Sequence, residues 1–128
     1  MLDQDIAAEG EVMTLDGLTI LALEDEPIIA LVLEDLLEIA GARACLAETL
    51  DEAVTLLDTQ EIQAAILDVN VQGQESYPVA RLLAEQDIPF IFASGYGDAR
   101  HPPEFANVPT TAKPYNLADL ERAFASLD

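Results

Sequence analysis

The chain has 128 residues, 51% of them hydrophobic, which fits one domain with a core of ordinary size and excludes disorder over most of its length. Its 25 acidic residues against 5 basic ones give a formal net charge of -20. Charge of that sign repels a phosphate backbone and an anionic membrane surface, so neither nucleic acid nor membrane is an expected partner; a cationic protein face or a divalent metal fits better. Acids on exposed helix faces also serve solubility.

The single Cys45 has no partner for an internal disulfide and suits a reducing cytosol. No basic segment followed by an apolar run opens the chain, and no run approaches the ~20 apolar residues of a membrane span. A cytoplasmic protein without a signal peptide is the expectation.

Residues 1–17 carry Asp3, Asp5, Glu9, Glu11 and Asp16 against no base. They read as an acidic N-terminal extension, either an arm or a short extra helix, and the ordinary looseness of untied termini favours the arm. The domain proper is expected over residues 18–128.

Leu18 to Leu23 is the first predicted strand, nearly all apolar as in a sheet covered on both faces. Pro27 then sits where a first helical turn accepts it. Ile28, Leu31, Val32, Leu36 and Ile39 recur at helical spacing, with Glu34, Asp35 and Glu38 on the other side. Gly41 stops this helix. Ala42 to Ala47 suits an edge strand. Thr49 with Glu52 forms a capping-box pattern ahead of a helix that uses Ala53, Leu56 and Leu57.

Ile62 to Val69 is the central strand, and Asn70 to Ser76 a loop with Gly73 available for a turn. Tyr77 to Glu85 is a helix with Ser76 as its cap and Pro78 in its first turn. Pro89 to Ala93 is a strand. Gly95 to Pro109 shows little periodicity, so any fourth helix is short or irregular. Thr110 to Ala112 ends the last strand, and Asn116 caps a final helix over Leu117, Leu120, Ala123, Phe124 and Leu127. Strands alternating with helices predict an α/β fold with right-handed crossovers, a doubly wound five-stranded parallel sheet.

In such a sheet the carboxyl ends of the strands converge on one crevice. Glu24 and Asp25 end one strand, Asp68 the central one, Ser94 another, and Lys113, the sole lysine, the last. Three carboxylates packed together raise each other's pKa values, and a hard divalent cation relieves the conflict; Mg²⁺ prefers such oxygen ligands. Lys113 can pair with Asp68 or with a phosphoryl oxygen, and Ser94 can donate to the same oxygen. Asp68 is a chemically reasonable nucleophile for an acyl phosphate. His101 has no second His to ligate a metal with, Arg81 and Arg122 read as helix-surface residues, and Tyr96 and Tyr115 flank the crevice.

From about Leu18 to Leu127 the chain resembles the receiver domains of two-component response regulators. Leu23-Glu24-Asp25-Glu26-Pro27 resembles their acidic cluster, Leu67-Asp68-Val69-Asn70 their phosphoacceptor segment, Ser94 their Thr/Ser position, and Lys113-Pro114-Tyr115 their Lys-Pro-Phe/Tyr signature. The resemblance implies a flavodoxin-like (β/α)5 fold and a cis bond before Pro114. It further implies Mg²⁺ held by Asp25 and Asp68 side chains and the Asn70 carbonyl, with Glu24 assisting through water. Asp68, Lys113 and Ser94 would form the catalytic set.

Phe92-Ala93-Ser94-Gly95-Tyr96 is similar to the Phe-Ala-Thr-Gly-x-Tyr stretch of the alphaproteobacterial "FAT GUY" receivers, with serine for threonine and the tyrosine directly after the glycine. Thr110 stands where ordinary receivers carry an aromatic switch residue, and the resemblance implies that Tyr96 takes over part of that switching. It also implies partners: a histidine kinase, of the HWE or a related class, or a phosphotransfer protein, and a downstream protein target, in stress or light signalling.

The expected function is therefore a single-domain response regulator that takes a phosphoryl group on Asp68 as shuttle, sink or switch. Its catalysis would be confined to its own phosphorylation and dephosphorylation. It would be a monomer or weak dimer. The rival is a phosphorylation-independent binding module on the same fold. A hydrolase with Asp68 as nucleophile is disfavoured, because Asn70 stands where such enzymes place a proton-donating acid.

Overall fold

A computed structural model describes residues 14–95 and 101–127. The elements are β1 (Thr19–Leu23), α1 (Pro27–Ile39), β2 (Arg43–Ala47), α2 (Leu50–Thr59), β3 (Ala64–Asp68), α3 (Tyr77–Glu85), β4 (Phe90–Ser94), β5 (Thr110–Ala112) and α4 (Leu117–Ala125). All five strands run parallel in one sheet of order β2-β1-β3-β4-β5. The expected doubly wound, flavodoxin-like sheet is thus present. Its order reverses at β1, whose neighbours are β2 and β3, and a crevice opens there above the strand ends.

Alternate side chains of each strand build two cores. Ile20, Ala22, Ile66, Ile91 and Ala93 meet Leu33 and Leu37 of α1 and Leu120 and Phe124 of α4. Leu21, Leu23, Leu67, Phe90 and Phe92 meet Ala53 of α2 and Val79, Ala80 and Leu83 of α3. β3 is buried along its whole length, so its two faces seed both cores. Leu15, 3% exposed, belongs to the α1–α4 core, and Gly17 N–H bonds to the Gly41 carbonyl.

Helix ends follow local chemistry. The Thr49 hydroxyl accepts from the Glu52 N–H at 3.1 Å, and Asn116 Oδ1 accepts from the Asp119 N–H at 2.8 Å. The Glu52 carboxylate reaches Glu48 N–H at 2.7 Å, one residue before the position a strict capping box would use. α1 closes in a Schellman arrangement: Ala42 N–H bonds to Leu37 O and Gly41 N–H to Glu38 O, with Gly41 at φ +87°. A Cβ at Gly41 would also meet the Asp16 carboxylate, an exposed side chain that can swing aside, so it is the positive φ that calls for glycine.

Three expectations need correction. The apolar set read from α1 marks the wrong face: Ile28, Leu31, Val32 and Ile39 are exposed, and the buried residues are Ala30, Leu33 and Leu37. The segment Pro-Ile-Ile-Ala-Leu-Val-Leu is apolar all round, so two overlapping series share the helical period, and packing selects the one carrying Leu33 and Leu37. Ser76 does not cap α3 through its side chain. Its carbonyl accepts from Val79 and Ala80 N–H groups, while its hydroxyl is buried with no hydrogen-bond partner among the described residues. The predicted loop Asn70 to Ser76 contains a small antiparallel ribbon, Asn70–Val71 against Gln74–Glu75. Gln72 and Gly73, at φ +52° and +82°, form its two-residue turn. Between β4 and β5 the described residues hold one 3-10 turn, Pro103–Phe105, in place of a regular helix.

Candidate functional site

β1 and β3 are neighbours in register, Leu23 beside Leu67, which brings the residues just beyond each strand to one height. Side-chain oxygens of Glu24, Asp25 and Asp68 accordingly lie within 4.8 Å of one another. Glu24 is fully buried, Asp68 is 4% exposed, and Asp25 stands half-buried at the mouth. The donor set is oxygen only and carries excess negative charge, which fits a hard divalent cation.

Lys113 enters from the end of β5. Its ammonium lies 3.1 Å from Asp68 Oδ2, 3.2 and 3.3 Å from the two Glu24 oxygens, and 3.6 Å from Glu26 Oε1. The Lys113–Pro114 peptide bond is cis. Tyr115, buried against the α1–α4 core, donates its hydroxyl to Glu24 Oε1 at 3.1 Å. Glu26 N–H approaches Glu24 Oε2 at 3.2 Å. The Glu24 carboxylate is therefore turned inward onto Lys113, Tyr115 and the start of α1.

Burial pushes the Asp68 carboxyl up to about 6; the Lys113 hydrogen bond pulls it down, and the Glu24 charge pushes it up again. Burial disfavours the Lys113 ammonium, but Asp68 and Glu24 together raise its pKa above the ordinary lysine value. Burial, and then the Glu24 and Asp68 charges, raise the Tyr115 phenol. The site therefore holds the Lys113 ammonium firmly charged beside Asp68 and Glu24, while burial makes the Asp68 carboxyl costly to ionise.

The remaining predicted site residues fall as follows. Ser94 is the last residue of β4, buried, and its carbonyl accepts from Lys113 N–H at 3.1 Å. Asn70 is exposed, and its backbone N–H bonds to Asp68. Tyr96 lies outside the described residues.

Sequence reasoning missed two contacts here. Gln72 N–H donates to Asp25 Oδ2 at 2.8 Å, so the ribbon turn orients the carboxylate at the mouth. A Gln-Gly pair is a weak turn signal, and nothing in it marks Asp25 as partner. The Tyr115 hydroxyl was equally unmarked, since an aromatic after Lys-Pro reads as packing.

A second cluster lies below the site. The His101 ring stacks on Phe92 with centroids 4.2 Å apart. Its Nδ1 pairs with the Tyr77 hydroxyl at 2.9 Å and its Nε2 with Thr110 Oγ1 at 2.6 Å. An imidazole thus fills the space beside Thr110, and burial lowers its pKa. Arg81 pairs with Glu104 at 2.9 Å and Arg122 with Asp119 at 2.6 Å, both on the surface.

The parallel sheet of order 2-1-3-4-5, the acidic triad and its lysine define a phosphoacceptor-type receiver. Residues 20–124 match the family described as the response regulator receiver domain, and the chain belongs to that family. As a receiver, it catalyses its own phosphorylation and dephosphorylation and is not a classical enzyme.

It is similar to SdrG from Sphingomonas melonis Fr1 in its solution structure, at 39% identity over 88% of this chain and 97% of that one, TM-score 0.76. It is also similar to the BeF3-activated conformation of SdrG from Pseudomonas melonis Fr1, at 40% identity over 84% and 92%, TM-score 0.72. The PhyR stress response regulator shares the fold at 22% identity over 93% of this chain and 47% of that one, TM-score 0.72. A comparison with the curated proteins returned no match. No described helix is long and apolar enough to cross a membrane.

Proposed function

We propose that Asp68 accepts a phosphoryl group from a phosphohistidine on a histidine kinase or phosphotransfer protein. A carboxylate oxygen of Asp68 forms the new bond to phosphorus, and the donor imidazole leaves. Lys113, 3.1 Å from Asp68 Oδ2, is placed to follow the incoming charge onto a phosphoryl oxygen. The single observation that carries this reading is that pairing: one part-buried ammonium shared by Asp68 and Glu24, beside a half-buried Asp25.

Mg²⁺ is the proposed metal, with Asp25, Asp68 and the Asn70 carbonyl as ligands and Glu24 acting through water; when bound it neutralises charge on the transferring group. Ser94, at the end of β4, is the proposed hydroxyl partner of the phosphoryl group.

The donor has to rest beside the mouth of the crevice. α1 starts at Pro27, directly after the acidic cluster, and shows Ile28, Leu31 and Val32 to solvent, with Asp35 and Glu38 also exposed. That apolar stripe with acidic residues beside it supports a docking surface for a protein partner with basic flanks. We carry the "FAT GUY" subgroup, an HWE-class kinase, stress or light signalling and a cytoplasmic location to this chain as part of the same reading. Residues 1–17 are proposed as an acidic extension, tied to the domain 18–128 at Leu15.

The test is phosphotransfer from a panel of autophosphorylated histidine kinases to wild type and Asp68→Ala, with Mg²⁺ and with chelator. Transfer that needs both Mg²⁺ and Asp68 supports the reading. Absence of transfer from every kinase and from acetyl phosphate overturns it and leaves a phosphorylation-independent binding module on the receiver fold.

A further inference from the structure

We propose that the Tyr115 hydroxyl is a positioning device for Lys113, setting how the ammonium is shared between Glu24 and Asp68. The kinetic part of this inference rests on the phosphoacceptor reading of Asp68; the geometric part does not.

Glu24 is fully buried, so in the metal-free protein its carboxylate leans on protein donors. Among the described residues it has three: Lys113 Nζ, the Glu26 N–H on Oε2 and the Tyr115 hydroxyl on Oε1. Two of these are neutral and fixed. The Glu26 amide is backbone at the start of α1, and the Tyr115 ring is 5% exposed in the core with Leu120 and Phe124. The third donor is a charged group on a long side chain, and it also touches Asp68 at 3.1 Å. Each neutral donor that Glu24 holds lowers its demand on the ammonium. Tyr115 thereby leaves Lys113 available to Asp68, and to whatever negative charge Asp68 acquires.

Without the hydroxyl, Oε1 depends on Lys113 alone, and the ammonium is drawn toward Glu24. Replacing Glu24 by glutamine removes the charge that competes for Lys113, so the hydroxyl then has nothing to offset. Those two statements make a double-mutant cycle.

Lys113 is the only lysine in the chain, so 15N-lysine labelling gives a single Nζ resonance that reports its surroundings in every variant. The experiment measures that resonance in wild type, Tyr115→Phe, Glu24→Gln and the double variant, with Mg²⁺-dependent labelling by acetyl phosphate in parallel. Tyr115→Phe is expected to shift the Nζ resonance. It is also expected to slow the maximal labelling rate roughly tenfold, the scale of one hydrogen bond, with the half-saturating acetyl phosphate unchanged. In the Glu24→Gln background the same change is expected to move neither.

Equal loss of rate in both backgrounds, or an unmoved Nζ resonance in Tyr115→Phe, overturns the proposal and leaves Tyr115 as packing. Should Tyr115→Phe fail to fold, the wild-type phenol proton decides. A slowly exchanging hydroxyl resonance that disappears in Glu24→Ala supports the bond, and a rapidly exchanging one overturns it. Wild type that takes no phosphoryl group removes the phosphoacceptor reading, and the resonance then decides the positioning role on its own.

Discussion

Replacing Asp68 by asparagine should make the metal-free protein more stable at neutral pH. The Asp68 carboxyl is pushed up to about 6 in the fold, from an ordinary value of 3.8, chiefly by burial. A carboxyl whose folded pKa is raised binds its proton more tightly folded than unfolded. Its contribution to stability is therefore greatest below about pH 4 and is lost as pH rises through about 6. A shift of about two units corresponds to about 3 kcal/mol once both states are ionised. Asparagine copies the shape of the neutral acid and cannot ionise. In chelator at pH 8, Asp68→Asn should exceed wild type by about 2–3 kcal/mol, and the difference should vanish near pH 4.

Urea unfolding followed by far-ultraviolet circular dichroism, from pH 4 to 8, measures this. The chain has no tryptophan, so fluorescence is a poor probe. Repulsion among the 25 acidic residues also weakens the fold as pH rises, but it is nearly common to both proteins, and the difference isolates Asp68. Added Mg²⁺ should then close the gap by stabilising wild type more than the variant. A variant less stable than wild type at pH 8, or a difference that does not change with pH, would refute the assignment of Asp68 as the strained carboxylate of the cluster.

Other consequences follow from the same contacts. Lys113→Met leaves Asp68 and Glu24 buried without their cation and should cost about 3–5 kcal/mol at pH 8, less at pH 5 where Asp68 takes a proton; urea melts at the two pH values check it. Leu33→Ala, at a fully buried site on α1, should cost about 2–5 kcal/mol, whereas Ile39→Ala, at a site 72% exposed, should stay within about 0.5. Equal costs at the two positions would contradict the helix face assigned here. Thr49→Ala removes the hydroxyl that accepts from Glu52 N–H and should cost about 1 kcal/mol in the same assay.

The strands were the most legible part of the chain. Short apolar runs such as Ala64 to Asp68, each ending on a polar residue, have one sensible reading when helical patterns separate them. The strand ends marked the crevice: Glu24, Asp25, Asp68 and Lys113 converge there, and Ser94 ends β4 with its carbonyl on Lys113 N–H. Periodicity failed in α1 because Leu33 and Leu37 share their turns with Leu31, Val32 and Leu36, and only tertiary packing separates the two series. Ser76 failed as a cap because serine before a helix signals the position, not the rotamer, and its hydroxyl went into the interior. Side-chain contacts over long sequence distances, such as Tyr115 to Glu24 and Gln72 to Asp25, leave no periodic trace at all. His101, set aside as unremarkable, proved to link Tyr77 and Thr110 across Phe92 for the same reason.

The most direct measurement traps the acyl phosphate itself. The protein is treated with acetyl phosphate and Mg²⁺, reduced with borohydride to convert an aspartyl phosphate to homoserine, and digested for mass spectrometry. Homoserine at position 68, absent in chelator and absent from Asp68→Asn, is the expected result. Homoserine at another position, or none in wild type labelled under these conditions, would contradict the account.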